Sequence, residues 1–189
     1  MNTSLLKNLS ALLLLLTLLG CATPMPTLEF TPTDVVPSGK KVDADLKSIS
    51  ISIALEKERL GETQVGVGGN VYEQSFKTAL KTALEEGLAR SAVFSDLSTR
   101  KVSLAAKVLK FQTPGAGINF KTEMIVRYEL IDRNNGKIVF SENVTSLGSV
   151  PGMYAFVGAT RFTEARNVTV RENVKNLISK LEQTSFPRD

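Results

Sequence analysis

Any chemistry in this chain has to be built without histidine and around one cysteine, Cys21. The missing imidazole removes the Ser-His-Asp triad, the usual general base and the commonest metal ligand. A lone cysteine closes no disulfide within the chain and supplies no thiolate cluster. Paired carboxylates are the next resource. Asp43, Asp45, Asp96 and Asp132 fall outside the expected helices, but no spacing selects a pair among them. Glu85 and Glu86 are adjacent on an expected helix, where successive side chains diverge by about 100°. They read as a solvated face. The glycine-rich stretch Gly61–Asn70 (GETQVGVGGN) has neither the Lys-Ser/Thr pair nor the GxGxxG spacing of a phosphate cradle. It reads as a flexible connection. No catalytic residue, metal site or cofactor is expected.

What remains is the position of Cys21. One cation, Lys7, precedes a leucine-rich run from Leu9 to Leu19, and the run ends in Leu18-Leu19-Gly20-Cys21. A weakly cationic start, a short apolar core and small residues at its end form the pattern of an export signal. The run falls short of the roughly 20 apolar residues that span a bilayer. Leu18-Leu19-Gly20-Cys21 also resembles the lipobox of bacterial lipoproteins. That resemblance implies cleavage before Cys21, a diacylglyceryl group on its thiol and acylation of the freed amine. Each buried methylene contributes about 0.8 kcal/mol and one chain binds only reversibly, so two or three chains make a lasting anchor. The alternative is an ordinary export signal with a chance cysteine. Ala22, in place of the aspartate that retains such proteins in the inner membrane, implies an outer-membrane protein facing the periplasm.

Removal of residues 1–20 leaves 169, one domain and a tether. Hydrophobic residues make up 42% and charged residues 22%, as in a globular protein. The net charge of +4 is spread along the chain with no basic block, so nucleic acid is not an expected partner. Residues 21–46 hold Pro24, Pro26, Pro32 and Pro37 and read as an extended tether after the lipidated cysteine. Leu28, Phe30, Val35 and Val36 could instead dock on the domain, which is expected over 47–186.

Within that domain, Ile49, Ile51, Ile53 and Leu55 alternate with Ser48, Ser50, Ser52 and Ala54 and predict a strand with one apolar face. Asn70 and Glu73 resemble a capping box that opens a helix over 71–91. Its Phe76, Leu80, Leu84 and Leu88 ridge, with Ala79, Ala83 and Gly87 beside it, should lie on the sheet. Val93, Phe94 and Leu97 predict a short strand. Longer strands follow over 102–111 and around Met124, Val126, Tyr128 and Leu130. They are separated by a turn at Pro114–Gly117. Asp132–Lys137, with Asn-Gly inside it, predicts a tight hairpin into a strand carrying Ile138, Phe140 and Val144. The last helix runs over 160–183 with Val170, Val174, Leu177, Ile178 and Leu181 on its apolar face. Asn173 lies near that face as a buried hydrogen-bonding residue. Arg161, Arg166 and Arg171, five residues apart, spread around the axis and form no single anion clamp. A short tail with Pro187 follows.

The order β-α-β-β-β-β-α predicts an α+β two-layer sandwich. Two amphipathic helices cover one face of a mostly antiparallel sheet of four to five strands. The other face carries Ser50, Ser52, Glu123, Arg127 and Glu129. With the lipobox and tether, this order of elements resembles small outer-membrane lipoproteins of envelope assembly. The lipopolysaccharide-assembly lipoprotein (LptE) family is similar in size and element order. The TolB N-terminal domain and curli-secretion lipoproteins are looser relatives.

The remaining candidate is Leu147–Ala159 (LGSVPGMYAFVGA), where Met153, Tyr154, Phe156 and Val157 sit among Gly148, Pro151, Gly152 and Gly158. Such a loop either packs over the sheet edge or offers itself to a partner or to lipid. The expected function is therefore a non-enzymatic binding or assembly component of the envelope. It would be joined to the membrane through Cys21 and to an envelope protein partner. A second reading is contact with lipopolysaccharide or another anionic polymer. Lys101, Lys107, Lys110, Lys121 and Arg127 would make it, although the first three should not share one side of a strand. An envelope enzyme is the least supported reading.

Overall fold

The computed structural model describes residues 27–65, 70–113 and 119–184, without the side chains of Asn70 and Val71. The lipobox at Cys21, the glycines at 66–69, the Asn70 cap, the turn at Pro114–Gly117 and the tail at Pro187 lie outside what it describes. The elements are β1 (Asp45–Ile53), a 3-10 turn (Glu56–Glu58), α1 (Asn70–Ser91), β2 (Lys101–Gln112), β3 (Phe120–Asp132), β4 (Ile138–Val150) and α2 (Gly158–Gln183). The four strands lie in the order β1-β2-β3-β4. This is the α+β sandwich that the hydrophobic pattern predicts.

β1 and β2 pair in parallel with Ile49 opposite Leu104, and α1 supplies the crossover that a parallel pair requires. β2–β3 and β3–β4 are antiparallel. Asp132–Lys137 makes the tight turn, with Gly136 at φ 72° and its N–H on the Asp132 carbonyl. The strand expected at Val93–Leu97 does not form. Phe94 makes a single parallel bridge to Val42, and Leu97 is 95% exposed. Ser98 and the turn before β2 take the chain away before a ladder can grow.

The domain boundary expected at residue 47 falls inside β1, and the chain from residue 27 onward is not a free tether. Phe30 is buried edge-to-face on Phe76, with 5.3 Å between ring centres. Leu28 and Val35 pack against the core, whereas Val36 is exposed. Proline denies this stretch a ladder or a helix, so it docks through side chains and through arginines that reach its carbonyls. Arg90 donates to the Pro32 carbonyl at 2.8 Å and Arg171 to that of Glu29 at 2.9 Å.

The core lies between the helices and the sheet. Phe76, Leu80, Leu84, Val102, Leu104, Met124, Val126, Tyr128, Leu130, Val170, Val174, Leu177 and Leu181 are fully buried. Gly87 faces Val174 of α2 and Pro32 instead of the sheet, so the small-residue groove of α1 receives the second helix. Ile51 and Ile53 are only half buried because β1 is an edge strand, and Leu55 lies beyond it in solvent.

Two features fix how deep α2 sits. Asn173 is fully buried, accepts the Tyr128 hydroxyl at 2.8 Å, and donates to the Val144 carbonyl and Ser146 Oγ, both at 3.0 Å. One turn earlier the helix backbone runs against Gly148 of β4. A Cβ at Gly148 would stand 2.6 Å from the Ala165 carbonyl oxygen and 2.7 Å from the Thr169 nitrogen.

Gly148→Ala should therefore lower stability at or above the usual overpacking cost of about 1–3 kcal/mol. Gly39→Ala, with nothing within 4 Å, should leave the urea midpoint in place. Equal midpoints would show that α2 is free to lift. Tyr128→Phe strands the Asn173 amide oxygen in the core and should cost about 1–3 kcal/mol in the same measurement.

Candidate functional site

The stretch Leu147–Ala159 is divided by the fold. Leu147–Val150 belongs to β4, Gly158 onward belongs to α2, and only 151–157 is loop. The sheet extends further than expected because β3 continues to Phe120 and offers Val150 a partner. The loop itself is not packed over the sheet edge. Met153 is 99% exposed and Phe156 103%, with Tyr154 and Val157 more than half exposed.

The flanks of this tip are held while its side chains stay out. The Gly152 N–H donates to Asn119 Oδ1 at 3.0 Å, and Arg161 donates to the Gly152 carbonyl at 2.8 Å. Arg161 also lies 5.7 Å from the Phe120 ring centre, and Phe120 meets Phe162 edge-on at 5.9 Å. The Tyr154 N–H closes a turn on the Pro151 carbonyl. Backbone anchored on both sides with apolar side chains in water is an arrangement for contact, not for chemistry.

The three arginines of α2 have three separate structural tasks. Arg161 holds the tip. Arg171 holds the N-terminal stretch at Glu29 and pairs with Glu164. Arg166 is only 4% exposed, with its guanidinium 4.4 Å from the Phe111 ring centre and 5.2 Å from that of Phe162. It donates to the Gln64 carbonyl at 2.8 Å, and its Nε has no hydrogen-bond partner. Burial without a neighbouring carboxylate pulls its pKa down. The five-residue spacing spreads Arg161, Arg166 and Arg171 around the axis and does not single out Arg166 as the buried one. The signal was its phase, since positions 166, 170, 174, 177 and 181 make one helical stripe.

The outer sheet face holds the cations proposed for an anionic polymer. A bulge between Val108 and Lys110 turns Leu109 into a buried position. The inserted residue shifts the alternation, so Lys101, Lys107 and Lys110 share one face after all. Each has a carboxylate: Lys101 Nζ reaches Asp45 at 2.6 Å, Lys107 Glu58 at 2.8 Å and Lys110 Glu123 at 2.7 Å. Arg127 donates to Asn143, and Lys121 is exposed near the tip.

Asp45, Asp132, Glu85 and Glu86 are engaged as well. Asp45 accepts from Lys101 and Lys47, and these bonds hold its carboxyl below the usual range. Asp132 is buried beside Arg100 and accepts the Asn134 N–H, whereas Asp43 and Asp96 stay exposed. Glu85 pairs with Lys81 and Glu86 with Arg90 along the solvated face of α1. Among the described residues no group of carboxylates is placed to hold a metal ion. Nor is any helix there long and apolar enough to cross a membrane.

No family model matches the chain, and no curated protein matches it. Solved structures resemble it to differing degrees. A Xanthomonas campestris protein of the DUF330 family aligns with a TM-score of 0.51 at 17% identity, over 84% of this chain and 93% of its own. A minor lipoprotein from Acinetobacter baumannii aligns at 0.42 and 13% identity, over 76% of this chain and 98% of its own. A lipoprotein candidate from Caulobacter crescentus aligns at 0.43 and 15% identity, over 71% and 88%. At these identities the likeness is one of fold, carried by the Xanthomonas campestris structure.

Asp45 yields a prediction with a definite sign. Its folded pKa is depressed, so its contribution is complete above its ordinary value of 3.8 and fades as pH falls through the folded value. Asp45→Asn should therefore flatten the loss of stability below about pH 4, read as urea midpoint against pH. An unchanged acid limb would assign that loss to other carboxylates.

Proposed function

We propose that this protein is a lipid-anchored, non-enzymatic component of the bacterial envelope that works by contact with another envelope component. The observation that carries the reading is the tip at 151–157, whose apolar side chains are fixed at their base and uncovered. Cys21 in its lipobox-like setting supports the anchor, and the outer membrane, facing the periplasm, is the membrane proposed. The pairing of Asp45, Asp132, Glu85 and Glu86 with cations and the absence of histidine speak against hydrolytic chemistry. Contact with lipopolysaccharide has less support, because a polymer would have to displace Asp45, Glu58 and Glu123 from the lysines it needs.

Photoreactive residues placed at Tyr154 and Phe156 in intact cells, with Ser52 on the outer face for comparison, test the reading. The expected result is a discrete adduct with an envelope component from the tip positions. Cys21→Ser should shift the protein out of the membrane fraction. Absence of any adduct, with recovery of a lone monomer from gently solubilised envelopes, would overturn the proposal.

A further inference from the structure

We infer that the component met by the tip is the lipid surface itself: Met153, Tyr154, Phe156 and Val157 enter the same leaflet that the acyl chains on Cys21 enter. The inference rests on the reading of Cys21 as the anchor and adds a second, protein-made point of attachment.

The path of the chain brings the two together. From residue 27 the polypeptide runs alongside α2 in the direction of the helix. The Thr27 carbonyl accepts from Asn167 at 3.3 Å, the Glu29 carbonyl from Arg171 at 2.9 Å, and Asp34 pairs with Lys175 at 3.0 Å. The chain therefore arrives from the end where α2 begins, which is the end that bears the tip. Asn167 is nine residues into α2, about 14 Å from its start at 1.5 Å per residue. The six residues from Cys21 to Thr27 reach about 20 Å when extended. An anchor at Cys21 can lie level with Phe156.

The make-up of the tip fits lipid. Val150–Val157 contains no charged side chain. Half of the ten large apolar side chains exposed among the described residues lie between Leu147 and Val157, and the others are scattered singly. Met153 and Phe156, almost wholly in water, protrude. A tyrosine beside them suits the boundary of headgroups and acyl chains, where an apolar ring and a polar hydroxyl are both satisfied. Lys121 and Arg161 flank the tip. The nearby acids Glu123 and Glu164 are paired with Lys110 and Arg171.

The physical consequence is orientation. Acyl chains on a tether hold a domain to a membrane but leave it free to tumble. A second contact at the start of α2 directs the Asp132–Lys137 hairpin, at the far end of the sheet, away from the lipid.

The chain contains no tryptophan, so one introduced residue reports on its own surroundings. Full-length lipidated protein carrying Phe156→Trp would be reconstituted in vesicles of phosphatidylethanolamine and phosphatidylglycerol, with and without bromine on the acyl chains. Leu97→Trp, equally exposed at the opposite end, is the comparison. The expected result is a blue shift and bromine quenching for Phe156→Trp and neither for Leu97→Trp. Unshifted, unquenched Phe156→Trp emission from protein that floats with the vesicles would overturn the inference and leave the anchor standing. The mass of the Cys21 peptide separates the two: an unacylated cysteine on protein that fails to float would remove the anchor and the inference with it. A protein adduct from position 156 in intact cells would overturn the inference in favour of a protein partner.

Discussion

The depth at which α2 lies on β3 and β4 is the constraint on which the other features depend. Asn173 spends its whole amide on the sheet, and Gly148 lets helix backbone and strand backbone approach closer than a Cβ would allow. A buried amide satisfied on both its oxygen and its nitrogen tolerates no sliding, because any shift leaves a donor or acceptor without a partner in the core. With that register set, Arg161, Arg166 and Arg171 are carried to fixed places along one helix. Each then fastens a different part of the chain to it.

That division of labour explains why so basic a helix offers no anion site. Arg161 is used on the loop, Arg171 on the N-terminal stretch and Arg166 on the aromatic interior. The outer sheet face is similar, with its lysines neutralised one by one by carboxylates from β1, the turn after it and β3. Much of the charge in this molecule is engaged in internal pairs, some between strands and some holding irregular segments to the regular frame. The uncovered surface that remains distinctive is apolar and lies at one end.

An apolar tip has a cost in solution, since water-exposed methionine and phenylalanine favour association. A protein kept at a membrane meets that difficulty by placing the tip where the apolar medium is. In the arrangement proposed, the line of the N-terminal stretch along α2 would bring an anchor at Cys21 to the end of the molecule that bears the tip, opposite the hairpin.

The alternation of Met124 to Leu130, the leucine ridge of α1, the Asn-Gly turn and the apolar stripe of α2 were legible from the residues alone. Each depends on periodicity or local backbone preference, and a chain carries those in its neighbours. Asn173 was legible for the same reason, as a polar residue in phase with an apolar face. Tertiary structure decided what no local pattern contains. It docked residues 27–44 on the core, reduced Val93–Leu97 to a single bridge, and used Gly87 as a seat for Val174. It also buried Arg166 and let a bulge at Leu109 bring three lysines to one face. Each of these turns on a partner distant in sequence, or on one residue inserted into a ladder. Whether the apolar loop packs or protrudes was of the same kind. The residues from Met153 to Val157 say that they are apolar; only the reach of β4 and the grip of Arg161 decide that they stand in the open.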